Sequence, residues 1–239
     1  MGQNVVVDLA DAVLVTLDSI SVGPSPINLA YGLDIPYFTE SPAEETIELI
    51  GGDVQAVITG SFSNGSNVEL PITASSTTFT GLPGQINVTT TGLFSTDSLN
   101  ALGYSLPGTA TYTLGSVARS DEFTVNISAV LLVPGAAGEF PQIDPENPII
   151  ASPGGYDGGF VAALISSDGT TALASNSGLA FALETPVVGI SIDPETGVIT
   201  AASGIAPNTA VFVLVSYVDP ATSLSYTSRL EFRVDPVED

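Results

Sequence analysis

The sequence predicts an all-β protein built as two β-sandwich domains. Three observations carry this. Short runs rich in Val, Ile, Thr, Tyr and Phe recur along the 239 residues, separated by Gly, Pro, Asn and Asp clusters, at the roughly 8–12-residue spacing of small sandwiches. Several runs alternate apolar and polar residues with a period of two, the signature of a half-buried strand. No apolar pattern sustains the helical period for more than a turn or two. At 44% hydrophobic residues the chain has ample material for a core and is far from the composition of a disordered segment.

The elements follow in order. Residues 5–9 and 12–22 read as strands, interrupted by Asp8, Asp11 and Asp18, and Pro24 and Pro26 end the second. Residues 27–39, with Pro36 and two tyrosines, read as an extended covering loop. Ser41-Pro42-Ala43-Glu44 fits a capping box opening one helical turn, and equally a solvated acidic loop. Residues 54–62 alternate, Asn64-Gly65 is a strong hairpin signal, and Val68, Leu70 and Ile72 lie on the return strand, which Pro71 marks as an edge. Residues 86–91 form a strand, and 96–102, closed by Gly103, a short helix. Residues 109–117 and 123–133 make a second hairpin with Asp121-Glu122 near its turn.

Residues 136–148 form a Pro/Gly linker between an N-terminal β domain over 1–135 and a second sandwich over 149–239. In the second, Asp168-Gly169 turns a hairpin, and Ile190, Ile192, Val213, Val215, Leu230 and Phe232 are the expected core. The stretch VVGISIDPETGVITAASGIAPNTAVFVLVSYVD (187–219), within the segment from Phe181 to Val234, resembles bacterial Ig-like and cadherin-like modules. Asp193, Thr196, Gly197, Ile199, Tyr217 and Asp219 sit where such modules place their turn and strand-end residues. The resemblance implies an Ig-like fold for the C-terminal domain and leaves its function open, because such modules serve adhesins, secreted enzymes and virion proteins alike.

Absent residue types restrict the chemistry. There is no histidine, cysteine or lysine, and the only cations are Arg119, Arg229 and Arg233. Ser-His-Asp and Cys-His systems, His- or Cys-ligated zinc, Schiff bases and P-loops are therefore excluded. Carboxylate chemistry remains, but no Asp-Thr-Gly or Asp-Ser-Gly motif occurs and no acid–base pair can be singled out, so the chain reads as a non-enzyme with no cofactor. The net charge of -23 opposes binding to nucleic-acid phosphate and to anionic membranes. It is compatible with calcium, a hard cation that takes oxygen ligands. The candidate ligands are Asp144 and Glu146 in the linker and Asp219 at a strand end, with ordinary Asp-Pro turn chemistry as the alternative.

No run of 18 or more apolar residues is present, and the first residues lack the basic and apolar regions of a signal peptide. Two functional readings remain. In the first, the chain is a bacteriophage capsid decoration or cement protein at the virion surface. It docks on the major capsid protein or another shell protein through its N-terminal domain, assembles as a homo-oligomer (a trimer), and projects its Ig-like domain. In the second, it is an excised calcium-binding region of a secreted bacterial adhesin at the cell surface. The open edge of the N-terminal strands is the expected contact, through Val5, Val7, Val13 and Val15, with Tyr31, Tyr37 and Phe38 as an aromatic partner patch.

Overall fold

The computed structural model describes residues 14–35, 48–134, 150–151, 160–173, 178–195, 197, 199–201, 205–206 and 209–234. Its regular structure over these residues is all strand apart from a single turn of 3-10 helix at Leu99–Ala101, where the sequence predicts a short helix. The first strands are β1 (Leu17–Gly23), β2 (Ile27–Ile35), β3 (Glu48–Ile50), β4 (Val54–Gln55), β5 (Val57–Phe62), β6 (Asn67–Leu70) and β7 (Thr77–Thr80). Then come β8 (Asn87–Val88), β9 (Leu93–Ser95), β10 (Ser105–Leu114), β11 (Val117–Pro134), β12 (Ile150–Ala151), β13 (Phe160–Ser166) and β14 (Gly169–Leu173). The last are β15 (Leu179–Leu183), β16 (Ile190–Ile192), β17 (Ile199–Ala201), β18 (Ala210–Val218) and β19 (Ser225–Val234).

In the N-terminal half a small sheet, β1-β5-β6, packs against strands β7, β10 and β11 of a larger one. Gly65, at φ 81°, turns β5 into β6, and its N–H donates to the Phe62 carbonyl at 2.8 Å. Glycine suits this position because a Cβ disfavours positive φ. Phe79 and Phe123 of the larger sheet meet edge to face with Phe94, on the middle strand of a third sheet β4-β9-β8, with centroids 5.2 Å (Phe79 with Phe94), 6.0 Å (Phe79 with Phe123) and 5.5 Å (Phe94 with Phe123) apart. The second hairpin turns at Gly115-Ser116, so Asp121 and Glu122 lie within β11 opposite Ala110 and Thr109 rather than near the turn.

Two expectations for the N-terminal strands are corrected. Residues 27–35 form a central strand and not a covering loop. Ile27, Leu29, Tyr31 and Leu33 alternate inward and are all at most 3% exposed, the period-2 pattern of a buried face. The open edge expected of β1 is also partly occupied. One edge pairs with β5. On the other, Arg119 Nε donates to the Asp18 carbonyl at 2.7 Å and the Val22 N–H donates to Asp121 Oδ2 at 2.9 Å. Two side chains two residues apart on β11 thus occupy backbone groups that a bare edge offers to another chain.

The expected linker at 136–148 lies outside the described residues, and one sheet runs across it. In the order β14-β13-β11-β2-β19-β18-β15 two strands from before that segment stand between strands from after it. The 18 residues of β11 make this possible. Its first half pairs with β10, and its last residues, from Ala129 to Pro134, pair with β13. The core is equally continuous, from Val22 and Ile27 through Val125 and Val130 to Val213, Val215 and Leu230. Of the expected C-terminal core, Ile190, Val213, Val215 and Leu230 are buried and Ile192 packs partly buried against them. The Phe232 side chain lies outside the described residues.

Candidate functional site

A buried polar constellation lies where β2, β11 and β19 meet. β2 runs parallel to β11 from Ile27↔Val125 to Gly32↔Val130, then parallel to β19 at Asp34↔Arg229 and Ile35↔Leu230. In a parallel ladder the rung after Gly32 would join the Val130 carbonyl to the Leu33 N–H. The Ser228 hydroxyl stands in that rung. It accepts from the Leu33 N–H at 3.0 Å and donates to the Val130 carbonyl. Ser228 is fully buried, so both backbone groups would lack partners without it. Gly32 makes the crossing possible: a Cβ there would lie 1.6 Å from the Thr227 carbonyl oxygen.

Neighbouring groups complete the joint. The Ser128 and Tyr226 hydroxyls share a hydrogen bond of 3.0 Å, and Tyr226 stacks on Tyr217 with centroids 6.0 Å apart. Burial raises the Tyr226 pKa. Arg229 reaches out of the same strand to Asp34 Oδ1 at 3.2 Å and Glu184 Oε2 at 3.0 Å, while its guanidinium lies 4.1 Å from the Phe212 ring centroid. One cation therefore ties β2, β18, β19 and the residue after β15. The pairs are partly exposed, so each contributes about 0–1 kcal/mol.

Tyr31 forms a second buried anchor. Its hydroxyl donates to Asp53 Oδ1 at 3.2 Å and accepts from the Thr96 N–H at 2.9 Å. Burial first, with a smaller contribution from the Asp53 charge, pushes its pKa up from 10.0 to about 12. Gly52 fits against the ring, where a Cβ would come within 2.5 Å. Elsewhere a shallow groove is lined by Ser25, Pro107, Thr109, Glu122 and Thr124, with Glu122 its only ionisable side chain.

These arrangements hold strands together. The hydroxyls of Ser228, Ser128, Tyr226 and Tyr31 are all hydrogen-bonded within the fold. Nowhere among the described residues do three or more Asp or Glu gather in a group able to hold a metal ion.

Of the expected site residues, Tyr31 is 2% exposed. It belongs to the core and offers no partner patch, because its ring completes the inward face of β2. Val15 is 42% exposed, next to Leu14 at 82%. Asp219 holds the β18–β19 turn: Oδ1 accepts from the Ala221 N–H at 3.0 Å and Oδ2 from the Thr222 hydroxyl at 2.5 Å. Both oxygens thus have turn partners. Val5, Val7, Val13, Tyr37, Phe38, Asp144 and Glu146 lie outside the described residues. Ser228 and Gly32 were not singled out from sequence, although both left a signal. Ser228 interrupts the apolar face of Leu230 and Phe232, and an isolated glycine inside a strand marks a close backbone approach.

No protein-family model matches the chain, and no curated protein matches it. Solved structures similar to it include mouse cadherin-23 EC22-24, at 18% identity over 90% of this chain and 64% of that one, with a TM-score of 0.29. A SusE-like surface-located polysaccharide-binding protein from the Bacteroides thetaiotaomicron heparin utilisation locus has 15% identity over 92% of this chain, with a TM-score of 0.37. Human protocadherin-24 EC1-2 has 10% identity over 94% of this chain and all of that one, at 0.29. The chain spans only 64% and 35% of the first two structures. Fragments of cadherins and protocadherins recur among these structures. TM-scores of this size carry no argument about activity or ligand.

Proposed function

We propose that the chain is a non-enzymatic structural protein of a phage particle, a decoration or cement protein that docks on the outer shell and projects its Ig-like part. The observation that supports this best is the continuous sheet through β11, β2 and β19. Two sandwich lobes joined by a free linker hinge by default, whereas lobes that share strands and core move as one stiff unit. The buried hydroxyls and Arg229 reinforce that joint, and stiffness of this kind suits a part that bears load or projects.

In this reading the N-terminal half faces the shell, and exposed Leu14, Val15, Val68 and Leu114 supply apolar contact area. The protein acts as a homo-oligomer, a trimer. With 26 acidic residues per copy against three arginines, self-association rests on apolar burial and backbone hydrogen bonds. Cations or basic shell residues offset the repulsion.

The test is reconstitution. Shells assembled without the protein are mixed with purified chain, then examined by co-sedimentation and electron microscopy. Saturable, regularly placed density on the shell exterior is expected, and Leu14→Asp with Leu114→Asp should weaken it without unfolding the chain. No binding at any ratio, with or without calcium, would overturn the assignment.

A further inference from the structure

The tip of the β5–β6 hairpin carries the one Asn-Gly step in the sequence, Asn64-Gly65. We propose that Asn64 is a self-modification site, which converts to aspartate and isoaspartate through a cyclic succinimide. This goes beyond the structural role above and does not depend on it.

Three features point to the reaction. Asn64 and Gly65 are both exposed, so water reaches the amide. Gly65 has no side chain to hinder the approach of its nitrogen to Asn64 Cγ, and beyond its chain neighbours nothing lies within 4 Å of where a Cβ would sit. The Asn64 side-chain oxygen accepts two hydrogen bonds from Ser66, from the N–H at 3.0 Å and from Oγ at 2.7 Å. Those donors face the atom that gains negative charge when Cγ is attacked, which is how an oxyanion hole works. Asn67 and Asn87 are also exposed, but valine follows each of them.

The step balances without an outside oxidant or reductant. Hydroxide removes the Gly65 amide proton, and the nitrogen forms a bond to Asn64 Cγ. The Cγ–Nδ2 bond breaks, and Nδ2 leaves as ammonia after taking a proton from water. A second water opens the five-membered ring at either carbonyl. The net change is asparagine plus water to aspartate or isoaspartate plus ammonia. The brake is the hydrogen bond from the Gly65 N–H to the Phe62 carbonyl at 2.8 Å, which opens when the exposed tip frays. The product places one more carboxylate on an already acidic chain. As isoaspartate it adds a methylene to the backbone at the tip that fixes the β5–β6 register.

The test uses the full chain, aged at mildly acidic and mildly alkaline pH. Peptide mapping by mass spectrometry and an isoaspartate-specific methyltransferase assay locate the product. Position 64 should convert ahead of Asn67, Asn87 and Asn100, and faster at the higher pH. Ser66→Ala should slow it several-fold. That is less than the roughly 10²–10³ lost with a shielded oxyanion donor, because water replaces an exposed one. The melting temperature confirms that the variant is folded, and Asn64→Gln supplies the baseline. Conversion at 64 no faster than at the other three positions would overturn the proposal, as would a Ser66→Ala chain that converts at an unchanged or higher rate.

Discussion

Replacing Ser228 by alanine removes one oxygen and leaves two buried backbone groups, the Leu33 N–H and the Val130 carbonyl, without their partner. A buried polar group stripped of its hydrogen bond costs about 1–3 kcal/mol. The strands cannot simply close to restore the missing rung, because the Thr227 carbonyl already sits against Gly32. The loss is therefore about 3 kcal/mol or more, taking the lower part of the range for each group. For a chain of this length each kcal/mol shifts the melting temperature by about 2–4 °C, so a drop of about 6–12 °C is expected. Urea unfolding followed by circular dichroism measures the free energy directly, and an unchanged m-value confirms that the same surface is exposed. The control is Ser120→Ala on the exposed face of the same joint's longest strand, expected to stay within about 0.5 kcal/mol. If the two variants melt together, the Ser228 hydroxyl does not bridge the strands and the account of the joint fails.

Other consequences are independent of that hydroxyl. Gly32→Ala should destabilise by about 1–3 kcal/mol or more as β2 is pushed off β19, while Gly84→Ala, with nothing within 4 Å of its Cβ position, should be near neutral; equal melting of the two would contradict the close crossing. Tyr31 is favoured as the neutral phenol in the fold, so its contribution is complete below pH 10. It is lost as pH rises through about 12, a swing of roughly 3 kcal/mol. A difference ultraviolet titration of the parent against Tyr31→Phe should place this group near 12, and a value near 10 would mean that the hydroxyl is solvated. Asp219→Ala should cost about 1 kcal/mol through its lost turn hydrogen bonds, equally with calcium or with a chelator. A loss seen only when calcium is present would assign the residue to a metal.

Much of the fold was legible because strand alternation is a local signal. Residues 123–129 alternate apolar with polar, 211–217 are an apolar and aromatic run broken only by Ser216, both are strands with buried inward faces, and Asn64-Gly65 marks its hairpin. β2 was harder to read. Its inward set of Ile27, Leu29, Tyr31 and Leu33 alternates just as well, but prolines on both sides suggested a loop, and a tyrosine beside them suggested a surface. The sharing of one sheet between the two halves was not legible at all. A Pro/Gly-rich segment is a reasonable boundary by composition, and nothing local says that β11 continues past its hairpin partner to pair with β13. The joint depends on two residues, Gly32 on β2 and Ser228 on β19, that lie 196 positions apart in the sequence. Each is an anomaly on its own strand, a glycine in the middle and a serine on the apolar face. Only the fold shows that the two anomalies meet.

Calorimetric unfolding tests the central claim, that both halves form one stiff unit through a shared sheet and core. The account predicts a single transition whose calorimetric and van't Hoff enthalpies agree, and a fragment ending at Pro134 that fails to reach the same folded state because β2 and β11 lose β13 and β19. Two separable transitions, with the N-terminal one unchanged in the isolated fragment, would contradict it.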